Sequence, residues 1–190
     1  MIHHEDTEFT EKDRGKLVKS LVFAVLLALA ATLSAQSIPH TEAETLSGKK
    51  IALPDAAAGH PAVLIVAFSH AGGDASGRWN KQLRQQFGSN QNLHFYSVAV
   101  LQDAPKLVRG MIRHGMRGSI PQNEQDSFAL LYKDEDVWKK LVDFSEADDA
   151  YVLLADSTGK VHWHTHGKAP DQQEMSALRN ELGKITKSNP

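Results

Sequence analysis

A chain of 190 residues with 21 Lys+Arg against 23 Asp+Glu, a formal net charge of −2 and 41% hydrophobic residues has ordinary globular composition. That balance excludes a disordered chain, a collagen-like repeat, a polytopic membrane protein and a dedicated nucleic-acid binder, which would need a basic excess against phosphates. Cysteine is absent, which also removes disulfides, thiolate nucleophiles, iron–sulfur clusters and Cys-x-x-Cys redox chemistry.

In chain order, Lys16 and Lys19 precede an apolar run from Leu21 to Leu33, followed by the small residues Ser34 and Ala35. A basic flank, an apolar stretch and small residues at its end describe an export signal. The run of 13 residues is shorter than the ~20 that span a bilayer. Residues 1–35 are read as an export signal or an uncleaved membrane anchor, which puts the rest in the periplasm or another extracytoplasmic space. Residues 36–45 are polar and read as an extended lead-in. One domain follows over 46–186, with a polar tail at 187–190.

Within that domain, Leu46 to Pro54 predicts a turn and a short strand ended by its proline. Ala62 to Phe68 (AVLIVAF) is a continuous apolar run of strand length, the pattern of a central strand buried on both faces. A turn at Ser69–Gly73 leads to a helix capped by Asp74 or Ser76, with Trp79, Leu83 and Phe87 on one face and Gly88 and Asn90 at its end. Leu93–Leu101 is the next strand, Lys106–Arg117 an amphipathic helix, Phe128–Tyr132 a short strand and Asp134–Phe144 another helix. Tyr151–Ala155, the turn Asp156-Ser157-Thr158-Gly159 and Lys160–Thr165 form a β-hairpin. A last helix carries Met175, Leu178, Leu182 and Ile185.

This order predicts an α/β fold: a mixed sheet with helices on both faces, on the thioredoxin-like plan. LSGKKIALPD before a buried strand, and YVLLADSTGKVHWHTHG as a closing hairpin, resemble the redoxin branch of that fold over roughly Leu46–Leu182. The turn in which a redoxin holds its reactive cysteine reads Ser69-His70-Ala71-Gly72-Gly73-Asp74 here. A serine hydroxyl does not replace a low-pKa thiolate in thiol–disulfide exchange.

The succession AFSHAGGDASGRWNKQLRQQF, LHFYSVAVLQ, KLVRGMIRHGMRG and YVLLADSTGKVHWHTHG resembles the mitochondrial ATP synthase assembly factors called, in words, ATPase assembly factor ten. Phe68, Ser69, Trp79, Phe87, Tyr96, Val98, Leu107, Arg109, Arg113, Leu154, Asp156, Gly159 and Trp163 occupy matching places. The resemblance implies a thioredoxin-like chaperone that helps assemble a membrane subunit of the proton channel and is not an enzyme. This chain differs in its bacterial-style leader and in the histidines around Trp163.

Three local patterns carry candidate chemistry. Lys106, Arg109, Arg113 and Arg117, at spacings of 3, 4 and 4, fall on one side of their helix, with Leu107, Val108, Met111, Ile112 and Met116 opposite. Structurally this reads as a solvated basic face above a buried apolar one. Functionally it is a partner-binding surface for an acidic protein segment or an anionic membrane surface. His162, His164 and His166 alternate on a predicted strand, so their imidazoles share a face about 6.5 Å apart, where zinc or copper could be chelated with His70 or His60 completing the set. The same alternation also fits Val161, Trp163 and Thr165 facing the core with the histidines on a half-exposed edge. Finally, Ser69 at a strand–turn–helix junction, followed by Asp156 and His166, has the chain order of a serine hydrolase. Too few strands precede that serine for a hydrolase elbow.

The function expected is a non-enzymatic assembly or chaperone-like module, without a cofactor, for a membrane-associated protein partner. A metal-binding accessory protein and a serine hydrolase are the alternatives.

Overall fold

The central strand is where the chain is most apolar. In the computed structural model, which describes residues 36–57 and 59–188, Ala62–Ala67 forms β3 with every residue buried. The leader, residues 1–35, lies outside the described residues.

Around β3 the sheet is mixed. The other strands are β1 (Thr41–Thr45), β2 (Lys50–Leu53), β4 (His94–Val100), β5 (Phe128–Leu131), β6 (Ala150–Ala155) and β7 (Val161–Gly167). They lie in the order β2-β1-β5-β4-β3-β6-β7. β3, β4 and β5 run parallel, with Val63 opposite Phe95 and Val98 opposite Ala129. β6 is antiparallel to β3, β7 to β6, and β1 to both β5 and β2.

Strand alternation divides the core between two faces. Val63, Ile65, Phe95, Val152 and Leu154 pack against helix α1 (His70–Phe87) through Ala75, Trp79, Leu83 and Phe87. Helix α4 (Gln172–Ser188) covers the same face with Met175, Leu178, Leu182 and Ile185, the four residues its periodicity selects. On the opposite face Leu64, Val66, Tyr96, Val98 and Leu131 meet Trp138, Leu141 and Val142 around helix α3 (Glu135–Leu141), together with Ile38 and Leu53. Helix α2 (Lys106–Ser119) crosses from β4 to β5 and buries no residue at all.

Several boundaries differ from the sequence reading, each for a physical reason. The polar lead-in supplies strand β1, with Thr41, Ala43 and Thr45 buried on alternate positions. Its threonines are satisfied inside the core: Trp138 Nε1 donates to Thr41 Oγ1 at 3.2 Å, and the Lys49 amide donates to Thr45 Oγ1 at 3.0 Å. Helix α1 begins before the expected cap. Ser69, in extended conformation, is the N-cap and accepts the Gly72 amide at 2.9 Å. An added Cβ at Gly72 would sit 2.9 Å from the Asp149 carbonyl oxygen, so only glycine lets this first turn press against the loop before β6. The helix expected over 134–144 stops at Leu141, because Asp143 turns into the left-handed region at φ 50°. Phe144 then folds back to stack on Tyr151 and meet Phe68 edge-on.

Candidate functional site

Helix α2 has no acidic residue and carries Lys106, Arg109, Arg113 and Arg117, with the first at its N-terminus and exposed. The structure turns this helix away from the expected orientation. Arg109 and Arg113 are half-buried against the domain, and Arg117, though exposed, is hydrogen-bonded to it.

Arg109 Nε donates to the Ala104 carbonyl at 2.9 Å and Nη2 to the Gln102 carbonyl at 3.3 Å. Its guanidinium lies 4.5 Å over the ring of Tyr132. Arg113 forms an ion pair with Glu44 of β1, and Arg117 Nε donates to the Leu46 carbonyl beyond the same strand. Burial raises the Tyr132 phenol above its ordinary pKa and Glu44 adds to this, with Arg113 and Arg109 opposing. Of the basic face expected from the sequence, Lys106 and Arg117 are exposed and Arg109 and Arg113 are half-buried. Three of its four cations are bonded within the domain, Arg109 to the loop before the helix and over Tyr132, Arg113 to Glu44 of β1, and Arg117 to Leu46 after β1.

The apolar stripe is displaced accordingly. Met116 packs with Leu101, Ile120, Phe128 and Tyr132 around Leu46, Ala99 and Leu130, and Ile112 is half-buried. Leu107 is 98% exposed, Met111 76% and Val108 37%. At about 100° per residue, Leu107 and Met111 are about 40° apart, on the side away from Met116 and Arg109. The fourfold arginine–lysine spacing was legible from the sequence, but the side that faces water was not. Glu44, the acid that decides the question, lay in the segment read as a lead-in.

An open groove of about 610 Å³ is lined by residues of β1, β2 and the end of β5, among them Glu42, Glu44, Lys50, Ile51, Tyr132 and Lys133. It adjoins the Arg109–Tyr132 and Arg113–Glu44 contacts.

The three strand histidines do share the exposed side of β7, while Val161, Trp163 and Thr165 are half-buried on the other. Each imidazole has a different acidic neighbour. His162 Nε2 is 2.7 Å from Asp156 Oδ2, His166 Nδ1 is 2.8 Å from Asp149 Oδ2, and His164 Nε2 is 3.9 Å from Asp143 Oδ2. His166 also stacks on Tyr151 at 5.2 Å between ring centroids. Of the two candidates to complete a metal set, His70 pairs with Asp74 and His60 stacks on His94. Among the described residues no three His, Cys, Asp or Glu side chains converge on one point that could hold a metal ion.

Asp156 organises the hairpin turn. Its Oδ1 accepts from the Thr158 amide at 2.8 Å, the Thr158 hydroxyl at 2.6 Å and the Lys160 amide at 3.2 Å. Burial pushes this carboxyl upward, but the bonds from Thr158, His162 and Lys160 outweigh it and leave the pKa below the ordinary value. Gly159 closes the turn at φ +83°, with Pro54 packed where a Cβ would stand.

Ser69 is a cap with both hydroxyl functions in use: Oγ accepts the Gly72 amide and donates to the Ala147 carbonyl at 2.8 Å. Asp156 binds His162 and His166 binds Asp149. The order Ser–Asp–His along the chain therefore does not assemble into a triad.

A family model described as ATP10 protein matches residues 18–185. No curated protein matches the chain. Among solved structures, BsSco, a member of the Sco family of cytochrome c oxidase assembly proteins, is similar with a TM-score of 0.55 at 10% identity, covering 80% of this chain and 95% of that one. A putative thiol:disulfide interchange protein DsbE from Chlorobium tepidum is similar with a TM-score of 0.54 at 16% identity, over 80% of this chain and 96% of that one. A putative protein disulfide isomerase from Bacteroides thetaiotaomicron gives 0.52 at 14% identity, over 80% and 89%. At such identities the likeness is one of fold, and it establishes the thioredoxin-like architecture.

Proposed function

The chain belongs to the ATP10 protein family, and from that membership we propose that it is a non-catalytic assembly factor for ATP synthase, acting on a membrane-associated protein client at the extracytoplasmic side of a membrane. The observation that carries this reading is the span of the family match. It begins at residue 18, inside the basic and apolar leader, and runs through the whole thioredoxin-like domain to residue 185. Leader and domain thus form one family pattern, which supports a domain working beside a membrane.

The fold's usual chemistry is not what this chain supplies. Thiol exchange needs a thiolate, and the sequence has no cysteine. What remains of the thioredoxin plan is a rigid sheet that presents α2 and the adjoining groove, a surface suited to holding a partner.

The test is the amount of assembled ATP synthase on native gels from cells lacking the chain, with cross-linking from intact membranes to identify the neighbour. A fall in assembled complex, restored by the wild-type chain, and capture of an ATP synthase membrane subunit are expected. Unchanged assembly in the deleted cells overturns the reading.

A further inference from the structure

The feature that neither packing nor the assembly role explains is the outward side of α2. Leu107, at 98% exposure, Met111, at 76%, and Val108, at 37%, form an apolar ridge on a helix whose own arginines hold it to the domain. A helix that is fastened by its arginines and Met116 and leaves Leu107 and Met111 in water has an apolar side that the domain does not use. Such a side is suited to lying on a bilayer.

We propose that this ridge docks onto the surface of an anionic lipid bilayer, with Leu107, Val108 and Met111 entering the headgroup–acyl boundary. Charge agrees with that occupant. Exposed Lys106 stands at the N-terminal end of the ridge; past its other end, exposed Arg117, bonded to the Leu46 carbonyl, lies beside Gly48 of the β1–β2 turn, where Lys50 is exposed and Lys49 is paired with Asp126. No acidic residue interrupts α2. The covalent arrangement agrees as well. The apolar run Leu21–Leu33 ends three residues before Gln36, the first described residue. With the leader retained as an anchor, the adjoining domain would stay within reach of the surface, where a second weak contact is strengthened by effective concentration. The inference rests on the membrane setting of the proposed function and not on which complex is assembled.

Because the chain contains no cysteine, one introduced thiol labels a single site. Gly110→Cys places it beside the ridge, where an added Cβ meets nothing within 4 Å, and Lys81→Cys on exposed α1 surface is the control. The full chain, labelled with an environment-sensitive fluorophore, is reconstituted into phosphatidylcholine–phosphatidylglycerol vesicles without any protein partner. The expected result is a blue shift and shielding from aqueous iodide at position 110 but not at 81. Both effects should weaken in phosphatidylcholine alone. Leu107→Gln should move the docked-to-undocked ratio by roughly tenfold, the equivalent of losing most of one leucine's burial. Equal quenching at 110 and 81 overturns the proposal. So does shielding at 110 that appears without vesicles as concentration rises, which assigns the ridge to a second copy. Shielding that requires an added membrane subunit overturns it too, and assigns the ridge to the client. Because the vesicles hold no client, a negative result here leaves the assembly test standing by itself.

Discussion

Two helices of this domain, α1 and α2, are both amphipathic in sequence, yet they use their apolar residues in opposite ways. Helix α1 sends Trp79 and Leu83, each with no exposed surface, between β3 and α4, and ties Trp79 Nε1 to the Gly167 carbonyl at 3.0 Å. Helix α2 sends guanidinium groups inward and leaves Leu107 and Met111 in solvent. Amphipathicity specifies that a helix has two sides. Which side faces the domain depends on what the partner surface offers. The sheet offers α1 an apolar face, whereas α2 finds Glu44, the carbonyl groups of Gln102, Ala104 and Leu46, and the ring of Tyr132.

The largest test of this contrast is a matched pair of truncations. Leu83→Ala should cost about 2–5 kcal/mol of stability, the range for a buried leucine with no room to collapse. Leu107→Ala should fall within about 0.5 kcal/mol of wild type, as an exposed substitution does. Denaturant melts of the two variants decide it. A Leu107 cost near that of Leu83 would mean that α2 is turned inward in solution.

Glycines give a second contrast, of opposite sign in the two helices. Gly72→Ala drives a methyl group against the carbonyl oxygens of Asp149 and Ala147, at 2.9 and 3.1 Å, and should destabilise by about 1–3 kcal/mol. Gly110→Ala meets open space and should stabilise α2 by about 0.5–1 kcal/mol through helix propensity. Thermal melts that showed both changes to be neutral would remove the distinction between a wedged first turn and a loosely seated helix.

How much of this was readable beforehand follows from where the information sits. The run AVLIVAF identifies a central strand because every residue is apolar, and Met175, Leu178, Leu182 and Ile185 identify α4's buried side by spacing alone. Both are local patterns, and both are observed. Strand β1 was hidden because two of its three buried positions are threonines, whose hydroxyls find partners, Trp138 and Lys49 among them, once the chain folds. The orientation of α2 was hidden for a related reason. Its arginines are balanced by backbone carbonyls and by Glu44, 69 residues away in the chain. The histidines of β7 share a side as alternation demands, but the aspartates beside them come from elsewhere, Asp143 and Asp149 from the loop before β6 and Asp156 from the hairpin turn. Periodicity reports a face and says nothing of what stands opposite it.

The β7 hairpin supplies a control with a pH signature that the apolar contrast lacks. Asp156 is held below its ordinary pKa in the folded protein. The unfolded chain therefore takes up its proton first as pH falls, so the stabilising contribution is full above 3.8 and is lost as pH drops below it through the folded value. Asp156→Asn should cost about 1 kcal/mol near neutral pH, since hydrogen bonds to a charged acceptor are exchanged for weaker ones. That cost should shrink in acid. The difference between Leu83→Ala and Leu107→Ala involves no titrating group and should stay flat over the same range. An Asp156→Asn penalty that did not diminish below pH 3.8 would place its origin in packing.

The smallest effect concerns the fastening of α2 itself. Arg113 and Glu44 are each about one-third exposed, at 34% and 35%, so water screens their attraction and the pair should contribute only about 0.2–1 kcal/mol. A double-mutant cycle with Arg113→Gln and Glu44→Gln isolates that coupling, because each single change leaves the other partner's remaining contacts in place. The coupling should decline as salt rises, unlike the Leu83 effect. Replacing Arg109, Arg113 and Arg117 together by Gln should then loosen the helix more than it strips charge from a surface, since all three guanidinium groups are engaged with the domain. Hydrogen exchange along α2 would register this as faster exchange confined to residues 106–119, with α1 unchanged. A zero coupling at low salt, together with unaltered exchange in the triple variant, would mean that the arginines do not hold α2. Its outward apolar ridge would then need another cause.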